Sequence, residues 1–113
     1  MTYFARKTPC QNSHTHDSAK EAKRCDDLHL LARGGKIAGL TVSPRIDIVI
    51  NGSPVKMGNG QAMRFTPDFS YVENGRKVIE DVKAKNGHMA RDVPVKLALC
   101  RHLWPEIEWR VVA

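Results

Sequence analysis

The dipeptide Asn74-Gly75 constrains the fold more than any other feature of this chain. It separates two runs rich in aromatic and β-branched residues. Such an arrangement favours a two-residue type I′ turn and predicts a β-hairpin over residues 61–84. Residues equidistant from the turn should lie opposite each other, which puts Asp68 across from Asp81 on one face of the hairpin.

The pairing of Asp68 with Asp81 needs a chemical explanation, because like charges placed opposite each other destabilise a hairpin. A divalent cation would hold them together, and Mg²⁺ binds through one or two carboxylates plus waters and substrate phosphates. Lys83 follows Asp81 by two residues and therefore lies on the same face. Its ammonium group could stabilise phosphoryl charge or orient a water molecule.

The opposite face of the predicted hairpin is apolar and suits a hydrophobic core. Glu80 points to this second face, so it is not a first choice of metal ligand. The apolar residues expected there are Phe65, Phe69, Tyr71, Val78 and Val82.

The bulk properties indicate one small soluble domain with a polyanionic partner. The chain has 113 residues, a net charge of +6 and a pI of about 9.5. Basic charge favours nucleic acid, although ribosomal and membrane-surface proteins are also basic. We expect no membrane span, since no apolar run is long enough, and no export signal. Three cysteines without paired spacing suggest reduced thiols and a cytoplasmic location.

The first part of the chain, residues 1–16, is polar and basic and reads as a flexible arm or as a short, irregular pair of strands. Arg6 and Lys7 could bring this arm to DNA. Zinc binding by an N-terminal Cys and His set is disfavoured, because a fourth ligand at standard spacing is missing. The residues considered for that set are Cys10, His14 and His16.

A helix is expected over 18–33, since Ser18 and Glu21 fit a capping box and two glycines follow. Glu21 lies four residues before Cys25 on the apolar stripe of that helix, so its carboxylate is aimed toward the sheet. It is either a third acidic ligand or simply a cap. The basic residues around this end, which we expect to form a solvated face that meets phosphate, are Lys20, Lys23 and Arg24.

The middle of the chain predicts one more strand before the hairpin. Residues 37–40 read as a short connection, and 42–50 alternate as a strand. Asp47 is interpreted as a charge on an edge strand rather than as a ligand. The Asn51-Gly-Ser-Pro run that follows is typical of a turn.

The last third predicts a loop, a helix and a strand. Lys85 lies in the polar loop just past Lys83, a good location for substrate contact. The helix over 92–103 has Asp92 as its cap and Pro94 in its first turn. Its inner face is predicted to contain Val95, Leu99, His102 and Leu103, and a final strand is expected over 107–112.

The residues Pro67-Asp68 followed by Asp81-Val82-Lys83 form the pattern Pro-Asp…(Asp/Glu)-x-Lys. This pattern resembles the PD-(D/E)xK nuclease superfamily, whose members cut DNA or RNA with Mg²⁺. The predicted order, α-β-β-β-α-β, is that of the restriction-endonuclease-like core. More narrowly, the segments around Glu21, Asp68, Lys83 and Trp104 resemble a phage-associated family of small uncharacterised PD-(D/E)xK proteins.

The resemblance implies an α/β fold with a mixed sheet between helices, formed by a single domain over 17–113. It implies an active-site carboxylate at Glu21, metal ligands at Asp68, Asp81 and the Val82 carbonyl, and a catalytic Lys83. It also raises Lys96 as an accessory basic residue. Two departures from the family pattern are His16, where an aromatic residue is expected, and Ser43, where a glutamine often precedes the proline.

The activity implied is Mg²⁺-dependent hydrolysis of DNA phosphodiester bonds, with Mn²⁺ as a substitute. We expect selectivity for branched or junction DNA, within phage or prophage recombination or processing in the host cytoplasm. A homodimer follows, because resolving a junction requires two cuts. The alternatives are a sequence-specific or nonspecific nicking nuclease, an inactive DNA-binding module of the same fold, and a basic structural protein.

Overall fold

The computed structural model describes residues 8–10, 15–16, 19–83 and 92–112. These residues form two helices and a set of mostly short strands. In chain order they are β1 (Thr8–Pro9), β2 (Thr15–His16), α1 (Ala19–Arg33), β3 (Ala38–Val42), β4 (Ile46–Asp47), β5 (Val49–Ile50), β6 (Ser53–Pro54), β7 (Arg64–Phe65), β8 (Phe69–Glu73), β9 (Arg76–Val82), α2 (Val93–Leu103) and β10 (Glu108–Val112).

A four-stranded mixed sheet forms the centre of the molecule, in the order β10-β9-β8-β3. The strands β3, β8 and β9 are antiparallel neighbours, whereas β10 runs parallel to β9. The parallel pair is joined through α2, as a parallel connection requires. The elements of this layer follow the predicted order, so the mixed α/β class is confirmed.

The β8–β9 hairpin has the predicted turn and register. Asn74 has φ of 52° and Gly75 has φ of 76°, the two positive values that a type I′ turn needs. Tyr71 lies opposite Val78, at equal distances from the turn. The ladder of the hairpin ends at the pair Phe69 and Glu80, one residue short of Asp68.

The strand predicted over 42–50 is wrong. The strand that joins the central sheet is β3, which includes residues that we expected to form a short connection. The chain leaves the sheet at Ser43, whose φ is 52°, and Pro44 follows. Because a positive φ cannot continue a strand and proline cannot donate to a ladder, residues 46–50 pair elsewhere, in two short ladders.

Each face of the central sheet has its own hydrophobic cluster. On the α1 face, Cys25 and Leu28 pack with Phe69, Tyr71 and Val78. On the α2 face, the clustered residues are Ile48, Phe65, Ile79, Leu97, Cys100 and Trp109. The prediction that Phe65 shares a face with Phe69 is therefore wrong. Phe65 belongs to β7, which pairs with β4, and the chain changes direction before the hairpin begins.

The inner face predicted for α2 is wrong in part, because Leu103 packs against the cluster on the α2 face whereas Val95 and His102 are exposed. Leu97 and Cys100 are the buried residues of this helix, whereas the Val95 side chain is 59% exposed. The buried stripe therefore runs through residues 93, 97, 100 and 104, with spacings of four, three and four. Val95 lies about half a turn around the helix from this stripe.

The first strands, β1 and β2, pair with each other and lie against α1. Of the two alternatives for residues 1–16, a flexible arm or a short pair of strands, this arrangement corresponds to the second. The Cys10 and Cys25 sulfur atoms are 3.6 Å apart, and neither cysteine forms a disulfide. Arg6, Lys7, His14 and the capping residue Ser18 lie outside the described residues. In the described part of the chain, no helix has the length and apolar character required to cross a membrane.

Candidate active site

Several functional candidates meet at one end of the central sheet, which we call the carboxylate end. The strands β3 and β9 finish there and β8 begins there, since Val42 pairs with Phe69 and Phe69 with Glu80. Because α2 connects β9 to a parallel strand, the helix must start at this same end. The topology thus brings residues from four elements to one edge.

Asp68 is fixed by three hydrogen bonds just before β8 begins. Its amide donates to the Glu80 carbonyl at 3.0 Å, and its own carbonyl accepts from the Ser43 amide at 2.8 Å. Its carboxylate oxygen Oδ2 accepts a hydrogen bond of 2.6 Å from the Val82 amide. The side chain is therefore held against the end of β9, next to Asp81.

The carboxyl groups of Asp68 and Asp81 lie within hydrogen-bonding reach of each other. Burial raises the pKa of Asp68 to about 8, and the charges of Glu21 and Asp81 raise it further, against the lowering effect of the Val82 amide. Burial also raises the pKa of Asp81. Two acids that share a desolvated site cannot easily both ionise, so the pair retains a proton at neutral pH.

Glu21 and Lys83 complete the set that the sequence singled out. Glu21 is half-buried in the first turn of α1, and its charge acts on both Asp68 and Asp81. Lys83 is half-buried directly after β9, where its amide donates to the Val112 carbonyl at 2.8 Å. That bond continues the ladder beyond Val82, so Lys83 shares the side of the sheet with Asp81.

The described residues contain no group of three or more His, Cys, Asp or Glu side chains that is arranged to hold a metal ion. Asp68 and Asp81 are close, while Glu21 affects them through its charge. In the ranges 19–83 and 92–112, no lysine or arginine forms an ion pair with either aspartate. The arrangement is therefore a pair of half-buried acids without a compensating protein cation in the described chain.

A different acid, Glu80, is neutralised on the α1 face of the sheet. Its carboxylate is fully buried and accepts from Arg24 Nε at 3.0 Å and from Arg24 Nη2 at 2.5 Å. The Tyr71 hydroxyl also donates to it. Arg110 donates to the Tyr71 oxygen at 3.0 Å and to Glu73 at 2.8 Å, which extends the network across the sheet.

This network ties α1 to β9 and so positions Glu21. Residues three apart on a helix are neighbours, so anchoring Arg24 fixes the turn that presents Glu21. This role of Glu80 was not predicted, although the sequence contains a signal for it. An acid on the apolar face of a strand requires a buried cation, and Arg24 lies on the helix that covers that face.

A basic cavity of about 300 Å³ opens beside Val82 on the α1 side of the sheet, and we call it the α1-side cavity. Three of the residues predicted to contact nucleic acid, Lys20, Lys23 and Arg24, line it together. One of them, Arg24, also donates hydrogen bonds to Glu80. The lining residues are Lys20, Lys23, Arg24, Asp27, Val82 and Val112.

The remaining predicted contacts lie near the same end or outside the described chain. Lys96 is one turn into α2, where its ammonium group is 2.8 Å from the Asp92 carboxylate. Asp92 precedes the helix without a side-chain capping bond and pairs with Lys96 instead. Lys85 falls outside the described residues.

A comparison with protein families matches residues 1–112 to DUF1064, described as a protein family of unknown function. The chain belongs to the DUF1064 family. No curated protein and no solved structure matches it. The family match covers nearly the whole chain, and therefore both helices, the central sheet and the carboxylate end belong to one DUF1064 unit.

Proposed function

We propose that this DUF1064 protein is a metal-dependent endonuclease with a restriction-endonuclease-like core of the PD-(D/E)xK type. The observation that carries the proposal is the half-buried pair Asp68 and Asp81, located at a sheet end that also presents Glu21 and Lys83. The mixed sheet, flanked by two helices in the order α-β-β-β-α-β, supports the assignment at the level of architecture.

The donor set fits Mg²⁺ better than it fits a transition metal. Two carboxylates without a paired cation supply hard oxygen ligands, and Mg²⁺ usually takes only one or two of these, with water and phosphate completing its coordination. When bound, the ion would polarise the scissile phosphate and make a water molecule easier to deprotonate. The Val82 carbonyl and Glu21 are the further ligands that we propose.

The protein side chains have separate roles in this proposal. Asp68 and Asp81 hold the metal, and the Val82 amide keeps the Asp68 carboxylate in place. Lys83 orients the attacking water and offsets the negative charge that develops at phosphorus. The cations of the α1-side cavity bind backbone phosphates, which position the DNA without reading its sequence.

The proposed substrate is DNA with branched or junction structure, processed by a homodimer in a phage or prophage context. The charge of +6 supports a polyanionic partner. One observation favours a second candidate, an inactive DNA-binding module of this fold. The described residues lack a cluster of three acidic or imidazole ligands, whereas an active site would gain from one.

Cleavage of several DNA forms separates the two candidates. Supercoiled plasmid, linear duplex and a four-way junction are incubated with the protein in Mg²⁺, in Mn²⁺ and in EDTA. We expect cutting that requires a divalent ion and that Asp81→Ala and Lys83→Ala each reduce at least about a hundredfold, equivalent to about 2.7 kcal/mol of transition-state stabilisation.

The matched control is Glu106→Ala, which removes an exposed carboxylate from the turn before β10, at the opposite end of the sheet. It should cut as the wild type does. Unchanged cutting by Asp81→Ala would remove the site assignment, and binding without cleavage in either metal would favour the DNA-binding module.

A further inference from the structure

A second basic cavity lies on the other side of the sheet, between the segment 56–64 and α2, and we call it the α2-side cleft. Its volume is about 570 Å³, and the described residues that line it include three cations and no carboxylate. The polar residues of the lining are Lys56, Gln61, Arg64 and Lys96.

Two of these cations are held from outside the cleft by weak ion pairs. Lys96 contacts Asp92 at 2.8 Å, and Arg64 Nε is 3.5 Å from the Asp47 carboxylate. Both aspartate side chains are more than half exposed, so water and salt reach each pair from the aspartate side, although the Lys96 side chain itself is only 14% exposed. A phosphate that enters the cleft can therefore replace either carboxylate at little loss.

The cleft opens near the carboxylate end, opposite the α1-side cavity. Lys96 is in the first turns of α2, which start at that end. The segment that includes Lys56 and Arg64 leaves the sheet after Val42 and returns to it at Asp68, again at that end. Because α1 and α2 cover different faces of the sheet, cations flank the Asp68 and Asp81 pair on two sides.

We propose that the α2-side cleft binds the phosphate backbone of a second strand, so that the substrate is double-stranded at the point of cleavage. This inference rests on the proposed nuclease function and adds the strandedness of the substrate. A single strand has one backbone and can follow one cavity, whereas a duplex presents two. The cations of the α1-side cavity then hold one backbone while Lys56, Arg64 and Lys96 hold the other.

The test compares duplex with single-stranded DNA of one sequence, bound in EDTA so that no cleavage occurs. Fluorescence anisotropy is measured over a range of salt concentrations for Lys56→Gln/Lys96→Gln. Each phosphate contact contributes about 0.9 to the slope of log affinity against log salt for duplex DNA. We therefore expect the duplex slope to fall by about 1.8 and duplex affinity to fall about tenfold, with less than a twofold change for the single strand.

The charge-matched control is Lys36→Gln/Lys77→Gln. Both of these lysines are exposed and lie at the other end of the sheet, before β3 and at the start of β9. The control should lower both affinities slightly and equally, and thermal melting should confirm that both double variants fold. A loss that is equal for the two DNA forms, or no larger than that of the control, would overturn the proposal, as would a wild type that binds no DNA.

The outcome is distinct from a failure of the proposed nuclease function. A protein that loses duplex affinity as expected but never cuts in Mg²⁺ or Mn²⁺ retains the duplex cleft and is not a nuclease. A protein that cuts, but whose variant keeps the duplex slope of the wild type, is a nuclease without this cleft.

Discussion

Two adjacent acids on β9, Glu80 and Asp81, point to opposite faces of the sheet and have opposite kinds of partner. Glu80 is fully buried and is neutralised by two hydrogen bonds from Arg24 and one from Tyr71. Asp81 is half-buried and lies against a second acid, Asp68. A shift of one residue along the strand therefore separates a carboxylate paired with a cation from one whose neighbour is another acid.

The difference teaches which of the two acids the fold itself needs. Burying a charge is expensive unless it is paired and hydrogen-bonded, and the Glu80 network meets that requirement. The Asp68 and Asp81 pair has hydrogen bonds but no cationic partner among the described residues, and burial raises the pKa of both acids. Perturbed carboxyl groups at the edge of a sheet are more typical of functional sites than of structural ones.

Removing the cation that pairs with Glu80 should have the largest effect on stability. Arg24→Ala leaves the Glu80 carboxylate buried without its cation, so we expect the free energy of unfolding to fall by about 3–5 kcal/mol. Urea denaturation measures this change.

Two variants check the cause of that loss. Lys23→Ala removes a neighbouring, exposed cation from the same α1-side cavity and should leave stability nearly unchanged. Adding Glu80→Gln to Arg24→Ala should recover part of the lost stability, because the buried charge is then absent. If Arg24→Ala were as stable as Lys23→Ala, the ion pair would have no structural role.

Removing the charge of Asp68 should stabilise the protein, and the size of this effect should depend on pH. The pKa of Asp68 is about 8 in the folded state, against an ordinary value of 3.8. Between these values the folded protein binds a proton that the unfolded chain has released, so metal-free stability falls as pH rises from about 4 to 8. At pH 8, Asp68→Asn should therefore be more stable than the wild type by about 2 kcal/mol.

The same comparison at pH 4 should give a difference close to zero, because Asp68 is protonated in the folded state and, so near its ordinary pKa of 3.8, is still partly protonated in the unfolded chain. Urea denaturation in EDTA at both pH values measures the effect. A stabilisation that is equal at pH 4 and pH 8 would mean that the charge of Asp68 is not its source.

Mg²⁺ should offset the lower stability of the wild type relative to Asp68→Asn. At ten times its dissociation constant, an ion that binds only the folded state adds about 1.4 kcal/mol to stability. Binding at pH 7 should release a proton from the Asp68 and Asp81 pair, which calorimetry in buffers of different ionisation enthalpy detects. Asp81→Asn should abolish both the shift in melting temperature and the proton release. A shift that Asp81→Asn retains would place the ion elsewhere.

Local sequence rules predicted the hairpin well and the strand before it poorly. The Asn74-Gly75 turn set the register of β8 and β9 by itself, and that register carries Asp81 toward Asp68. The strand over 42–50 failed because alternation in the sequence does not reveal which residues can join the central sheet. The positive φ of Ser43 and the ring of Pro44 end β3, and neither residue disrupts the alternation that follows them.

The candidate site was predictable only in part, for a similar reason. The proximity of Asp68 and Asp81 follows from a turn, which is local. The partnership of Arg24 with Glu80 joins residues 56 positions apart, and it depends on how α1 lies across the sheet. The choice of inner stripe on α2 is also a tertiary result, since Val95 and Leu97 are equally apolar and only one of them faces the core.

A third carboxylate gives the smallest expected effect and tests whether burial, rather than charge alone, separates Glu80 from Asp81. Asp47 is 55% exposed and contacts Arg45 and Arg64 at 3.4 and 3.5 Å. It has cationic partners as Glu80 does, but water screens them, so Asp47→Asn should change the free energy of unfolding by less than about 0.5 kcal/mol. Urea denaturation at low and high salt provides the measurement, and the small change should vanish in high salt. A loss as large as that of Arg24→Ala would mean that pairing stabilises this fold regardless of burial, and the contrast between the two faces of β9 would then lose its physical basis.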